Sequence, residues 1–197
     1  MTINDVLNLK TPDDLWHYMH ENIKYGWTNK KGEFREHGDP RMFKEYYFHS
    51  PEETIERKSG LCGDQVLLEK MWFDYKKIKN HVVSFGFKND EGKKIGGGHV
   101  FLVYIEDNKY YYFENALGPC ANILGFDSFN ELVGTAIAAY LVVTNNTDKM
   151  DKLYINIDYN LNANNNSQQD FIETLNAEDF YYNYKNEIQK SIKNFGY

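Results

Sequence analysis

Two residues in this sequence carry chemical potential because of where they stand. Cys62 follows Ser59-Gly60-Leu61 and heads a segment running to Tyr75. In that segment Val66, Leu67, Leu68, Met71, Trp72, Phe73 and Tyr75 put apolar groups on several faces. A helix that is apolar all round is wrapped by protein, so Cys62 is expected at the start of a buried central helix. Unpaired N–H groups and the positive helix end favour a thiolate there, and the same groups can hold an oxyanion. Asp64, one turn in, opposes a second anion nearby, so the cysteine needs a partner base. His99 is the candidate. It opens a strand directly after Gly96-Gly97-Gly98, where glycines allow close backbone approach and leave the imidazole edge uncovered.

Strand register supplies a third member. If Asp107-Asn108 is a two-residue hairpin loop, paired positions sum to about 215 and Glu114 lies opposite Phe101. His99 and Phe101 share a face, which makes Glu114 a diagonal neighbour of His99 at roughly 7–8 Å between Cα atoms. A three-residue loop brings Asn115 onto that face instead. Glu114 is preferred because a carboxylate both orients and stabilises an imidazolium.

Each of these residues also has a plainer reading. Free cysteine is usually a small buried hydrophobe. Cys120, in Gly118-Pro119-Cys120, lacks the company of Cys62 and reads as structural or incidental, and nothing beyond the count of two supports a pairing of the cysteines. His81 also opens a strand, yet no carboxylate-bearing strand sits at the right offset. His17 and His20 lie three apart on a helix beside Glu21, but no second pair of ligands completes a metal site, and no metal or cofactor is expected. His37 and His49 fall in a charged, loop-like stretch without an assignment. The glycine run is not a phosphate loop, since a strand follows it and no Lys-Ser/Thr pair does. Tyr110, Tyr111 and Tyr112 read as strand packing.

The elements that must position the candidates carry clear signals. Thr11-Pro12-Asp13-Asp14, Ser50-Pro51-Glu52-Glu53 and Ser128 with Glu131 are helix starts, predicting helices near 12–25, 51–57 and 128–135. Leu15, Met19 and Ile23, with Trp16 alongside, give the first of these a core face. Strands are predicted at His81–Phe87, His99–Ile105, Tyr110–Glu114, Ala139–Thr144 and Leu153–Ile157, all rich in β-branched and aromatic residues. The second is apolar on both faces and is expected to be central. From Asn160 to Gln169 the chain is polar and asparagine-heavy, a loop. A last helix starts at Asn176-Ala177-Glu178-Asp179 and carries Phe180, Tyr184, Ile188 and Ile192, a row fitted to the body or to a partner.

Bulk properties set the frame. A chain of 197 residues with 16% aromatics buries a sizeable core without staples. A net charge of -7 argues against nucleic acid, which requires a basic stripe. The start Met1-Thr2-Ile3-Asn4-Asp5 lacks a secretory pattern, and no stretch approaches the ~18 apolar residues of a membrane span. A cytoplasmic, reducing setting is the expectation.

The segments "IERKSGLCGDQVLLEKMW", "GGHVFLVYI" and "YYYFENAL", within Pro51 to Leu117, resemble the transglutaminase-like superfamily of papain-like folds. There a cysteine after a glycine turn heads a helix, a histidine opens a strand, and an acid ends the next strand. Departures are Glu114 in place of the usual aspartate, Phe101 where a tryptophan is usual, and no proline after the acid. The resemblance implies an α+β fold, with the buried cysteine-headed helix packed on a mostly antiparallel sheet. It implies residues 1–159 as the catalytic domain, 160–169 as a polar loop, and 170–197 as a C-terminal helix docked on the domain or a partner. Cys62 is then the nucleophile, His99 the base and later the acid, and Glu114 the orienter. Tyr25, Trp27 and Asn29 stand upstream as unranked candidates for a further oxyanion donor. The implied activity is that of a cysteine hydrolase or acyltransferase acting on amide bonds of a peptide, protein or other substrate through an acyl-cysteine. Arylamine N-acetyltransferases share the residue order, although about eighty residues after Glu114 leave limited room for their further barrel and lid. A non-catalytic interaction module of the same fold is the third reading.

Overall fold

The computed structural model describes residues 2–117, 125–158 and 181–196. Cys120, the 160–169 loop and the helix start at 176–180 lie outside these residues. The chain opens with two helices, α1 (Ile3–Leu7) and α2 (Pro12–Asn22), each begun by a threonine whose side chain accepts from the third residue of the helix. Strands β1 (Lys24–Thr28) and β2 (Phe34–Glu36), the short α3 (Met42–Glu45), α4 (Pro51–Arg57) and β3 (Ser59–Gly60) lead to α5 (Cys62–Tyr75). Then come β4 (Asn80–Lys88), β5 (Lys94–Glu106), β6 (Lys109–Phe113), α6 (Phe129–Val143), a 3-10 turn at Thr147–Lys152, β7 (Leu153–Ile157) and α7 (Tyr181–Asn194).

Four strands form an antiparallel sheet in the order β6-β5-β4-β7, and a small second sheet has the order β2-β1-β3. The main sheet is covered on both faces. Val82, Val100, Leu102, Tyr104 and Phe113 face α5, where Leu68, Trp72 and Phe73 are buried with Leu15 and Met19 of α2. Val83, Phe85, Phe101 and Val103 face the other way, against Leu132, Val133, Ile137 and Leu141 of α6 and Tyr184 and Ile188 of α7. Successive side chains of a strand alternate faces, so the continuous apolar run of β5 is what a doubly covered central strand requires. The outcome is an α+β fold with the cysteine-headed helix buried on an antiparallel sheet.

The structure corrects the expected elements in three places. The predicted strand at Ala139–Thr144 is the second half of α6, a single helix of 15 residues. Val142, Val143 and Thr144 raised the β signal, but Leu132, Val133, Ile137, Ala138 and Leu141 recur at helical spacing and that stripe is what is buried. Helix α2 stops at Asn22 rather than 25, because Tyr25 and Trp27 belong to β1. Strand β5 begins at Lys94, so the glycines before His99 lie within the sheet.

The helical reading of 139–144 makes a specific forecast. Ala138 and Leu141 are buried, whereas Val143 is 82% exposed, a pattern that strand alternation cannot give. Leu141→Ala is expected to cost about 2–5 kcal/mol in urea unfolding, and Val143→Ala to stay within about 0.5 kcal/mol of the parent.

Candidate active site

Cys62 owes its position to the elements just before it. Helix α4 starts at a Ser50 capping box and ends at Lys58 in the left-handed region (φ 53°). The reversal lets β3 run parallel to β1, pairing Lys24 with Ser59 and Tyr25 with Gly60. The chain then turns into α5 at Cys62, bringing the sulfur alongside β1. Gly63 is needed for this entry: a Cβ there would come within 2.3 Å of the Phe48 ring. Asp64, expected to oppose an anion at Cys62, has both carboxyl oxygens engaged. It accepts from Tyr46 Oη at 2.9 Å, His49 N at 2.8 Å and Leu61 N at 2.8 Å. Burial raises its pKa to about 6 against the pull of His49 and these donors. Its role is architectural, since it ties the loop at 46–49 to the first turn of α5. Gln65 does similar work, donating to Gly60 O and accepting from Asn115 Nδ2.

His99 sits beside a bulge. β4 and β5 pair Phe85 with His99 but Phe87 with Gly96, so β5 carries an extra residue opposite Gly86. Gly97 has φ 75°, and a Cβ on Gly98 would lie 1.7 Å from Phe85 O. The glycines thus give the close backbone approach expected of them. The ring itself is covered, with 4% of His99 exposed, because Tyr140 of α6 stacks on it (centroids 5.6 Å apart, planes at 14°). The hairpin β5-β6 turns at Asp107 and Asn108, both at positive φ, and pairs Leu102 with Phe113 and Val103 with Tyr112. That register carries Glu114 to His99, and Glu114 Oε2 hydrogen-bonds His99 Nε2. Asn115 turns instead to Gln65.

With Nε2 on Glu114, Nδ1 is the ring nitrogen left for sulfur, and the Cys62 side chain is close enough to help hold the ring in its charged form. Cys62, His99 and Glu114 are therefore neighbours in one site. Glu114 is fully supplied: Tyr112 Oη donates at 2.7 Å, and Ala116 N and Leu117 N donate at 2.9 and 3.2 Å. Burial lowers the pKa of His99, but the Glu114 carboxylate and the Cys62 side chain overcome it and bring it up to about 10.

Of the three upstream candidates, Tyr25 is the one whose phenol lies near Cys62 and Glu114. Burial and the neighbouring Cys62 and Glu114 push the Tyr25 phenol far up, keeping it a neutral donor. Trp27 is buried against Tyr46 and Phe48, and the Asn29 amide donates to Glu33 and Glu45. Two further residues were not singled out in the sequence. Glu69, two turns along α5 from Cys62, is buried beside Glu114 and His99; burial first, then Glu114, push its carboxyl well up. Its signal was a carboxylate in the middle of a wrapped helix, seven residues after the cysteine. Tyr140 was hidden by the misread second half of α6.

The other histidines are placed elsewhere. His81 Nδ1 contacts Asp158 Oδ2 at 2.7 Å, His17 pairs with Asp13, and His20 stacks on Trp16. His37 lies over Tyr25 (centroids 5.4 Å apart). His49 is fully buried, its Nε2 3.1 Å from Thr28 Oγ1.

A helix N-terminus offering sulfur to an imidazole that a strand presents and a carboxylate backs is the arrangement of the papain-like cysteine-enzyme folds. A family model described as a transglutaminase-like domain matches residues 4–126, which include every one of these three residues. The chain belongs to that family. No curated protein matches the chain. No helix among the described residues is long and apolar enough to cross a membrane.

The raised pKa of His99 has a definite sign in stability. A histidine lifted from 6.5 to about 10 by folding stabilises the protein fully below pH 6.5, and that contribution is lost as pH rises through 10. The stability difference between the parent and His99→Gln is therefore expected to shrink between pH 6.5 and 10 in urea titrations. By NMR the His99 ring is expected to stay protonated through neutrality, and Glu114→Gln to move its titration to lower pH.

Proposed function

We propose that this protein is a cysteine-dependent hydrolase or acyltransferase that cleaves an amide bond through an acyl-cysteine, with Cys62 as nucleophile, His99 as base and acid, and Glu114 as positioning residue. The observation that carries this reading is the buried His99–Glu114 pair, with Cys62 at the head of α5 beside it, inside a transglutaminase-like domain.

The chemistry follows from the geometry. An imidazolium beside the sulfur is the counter-ion a thiolate needs, and the carboxylate behind the ring fixes its tautomer and balances its charge. Sulfur attacks the acyl carbon, and the electron pair of the carbonyl moves onto oxygen. Donors for that oxyanion are at hand in the first turn of α5 and in the neutral Tyr25 hydroxyl. Collapse expels the amine, which takes its proton from His99. Water or a second amine then attacks the carbonyl carbon of the acyl-cysteine, giving its proton to His99, and the sulfur leaves as thiolate, which restores the thiolate–imidazolium pair. A peptide, a protein or another amide-bearing molecule fits the substrate role. A reducing compartment such as the cytoplasm would keep Cys62 in its thiol form.

Alkylation kinetics and activity test the assignment together. At pH 6–7 iodoacetamide is expected to label Cys62 well before Cys120, and His99→Ala to abolish that preference. In an assay for amine incorporation into, or ammonia release from, a glutamine-rich protein, His99→Ala is expected to reduce turnover by about 10²–10⁴-fold. Equal, slow labelling of both thiols would favour an inert module. Stable acetylation of Cys62 by acetyl-coenzyme A would favour a small-molecule acyltransferase.

A further inference from the structure

On the α6 side of the sheet, next to His99, lies a cavity of about 290 Å³. Its walls are Phe85, Phe101, Leu132, Ala136, Ala139 and Tyr140. Leu117 and Val143 also line it, and both are substantially exposed, as at a mouth that admits a group from solvent. Among the described residues, no Lys, Arg, Asp or Glu lines it. Its polar groups already have partners. Tyr112 Oη donates to Glu114, Tyr140 Oη to Gly97 O, and Thr144 Oγ1 to Tyr140 O, while Thr135 Oγ1 meets Ser191 Oγ. His99 Nε2 is likewise taken, by Glu114.

A site with such walls offers an occupant burial rather than hydrogen bonds, and a charged group entering it would be desolvated without a partner. Size narrows the occupant further. An apolar cavity of about 150 Å³ holds benzene, so this one accommodates a ring with its linker or a branched aliphatic chain. Its position fixes the role, because a group held there rests against the imidazole that exchanges protons with the reacting amide.

Resting on the cysteine-enzyme reading above, we propose that this cavity is the specificity pocket of the site and takes an uncharged aromatic or branched aliphatic group of the substrate. The wall supplied by α6, residues 129–143, lies beyond the 4–126 segment that matches the family. The pocket thus joins walls from the matched segment, Phe85 and Phe101, to walls from α6.

Alkylation of Cys62 by two neutral reagents with the same warhead separates this proposal from the reading beneath it. In each, sulfur displaces iodide to form a thioether, and only the amide substituent differs. N-benzyl-2-iodoacetamide is expected to show saturation and to react at least about tenfold faster than iodoacetamide at low concentration, the gain from burying one phenyl ring. Ala139→Phe, which fills the cavity, is expected to bring the ratio of the two rates toward one. Val143→Asp at the exposed mouth is expected to lower the same ratio, and it serves if the filled variant unfolds. A ratio near one in the parent, with iodoacetamide labelling still dependent on His99, overturns the pocket and leaves the nucleophile in place. Labelling by both reagents that ignores His99→Ala overturns the reading and the pocket with it.

Discussion

A carboxylate and an imidazole, each almost wholly withdrawn from water, face one another at the end of the main sheet, and the surrounding structure is organised by the need to keep them paired. His99 is 4% exposed and Glu114 2%. Burying one such charge alone costs several kcal/mol, and breaking a buried pair by removing one member typically costs about 3–5 kcal/mol. The pair is tolerable only because its remaining capacity is used. Glu114 collects the Tyr112 hydroxyl and two backbone N–H groups from the turn that follows, and Cys62 helps to hold the His99 ring in its charged form. Glu69, a second carboxyl in the same volume, coexists with them because burial and the neighbouring Glu114 hold its pKa well up, favouring the neutral form.

Several elements converge to satisfy this constraint. The two-residue turn at Asp107-Asn108 sets a register that no one-residue slip would preserve, since a slip would send Glu114 to the opposite face. The bulge at Gly97-Gly98 presses β5 against β4 where His99 is presented. On the other side of the sheet, the β1-β3 pairing and the Asp64 network hold the first turn of α5 so that its sulfur meets the ring. Helix α6 closes the site by laying Tyr140 over His99, which excludes water and strengthens every electrostatic contact beneath.

Much of this was legible in the residues. The glycine turn before Cys62, the wrapped face of α5, and the Asp107-Asn108 hairpin are local signals, and local signals survive in a sequence. The register argument put Glu114 diagonal to His99, and the structure brings the two side chains into contact. What escaped was non-local. β3 is two residues long and exists because β1 lies beside it. The environment of His49, fully buried beneath Thr28 and Asp64, depends on how a charged loop folds back on itself. The second half of α6 was misread because β-branched residues cluster at its end, whereas helical burial is set by the sheet it packs on. With that helix went Tyr140 and the apolar cavity, both of which need α6 and β5 to be placed together before either can be seen.

The account stands on a covalent step at one sulfur, and a rapid-quench experiment with an activated acyl ester addresses that step directly. Intact-protein mass spectrometry of the quenched mixture, followed by peptide mapping, reads which side chain carries the acyl group and how fast it forms. The account predicts a burst in which Cys62 is acylated in step with release of the first equivalent of alcohol, and no such burst when His99 is replaced by Ala. Acylation scattered over surface lysines, with Cys62 unmodified in the parent protein, would contradict it.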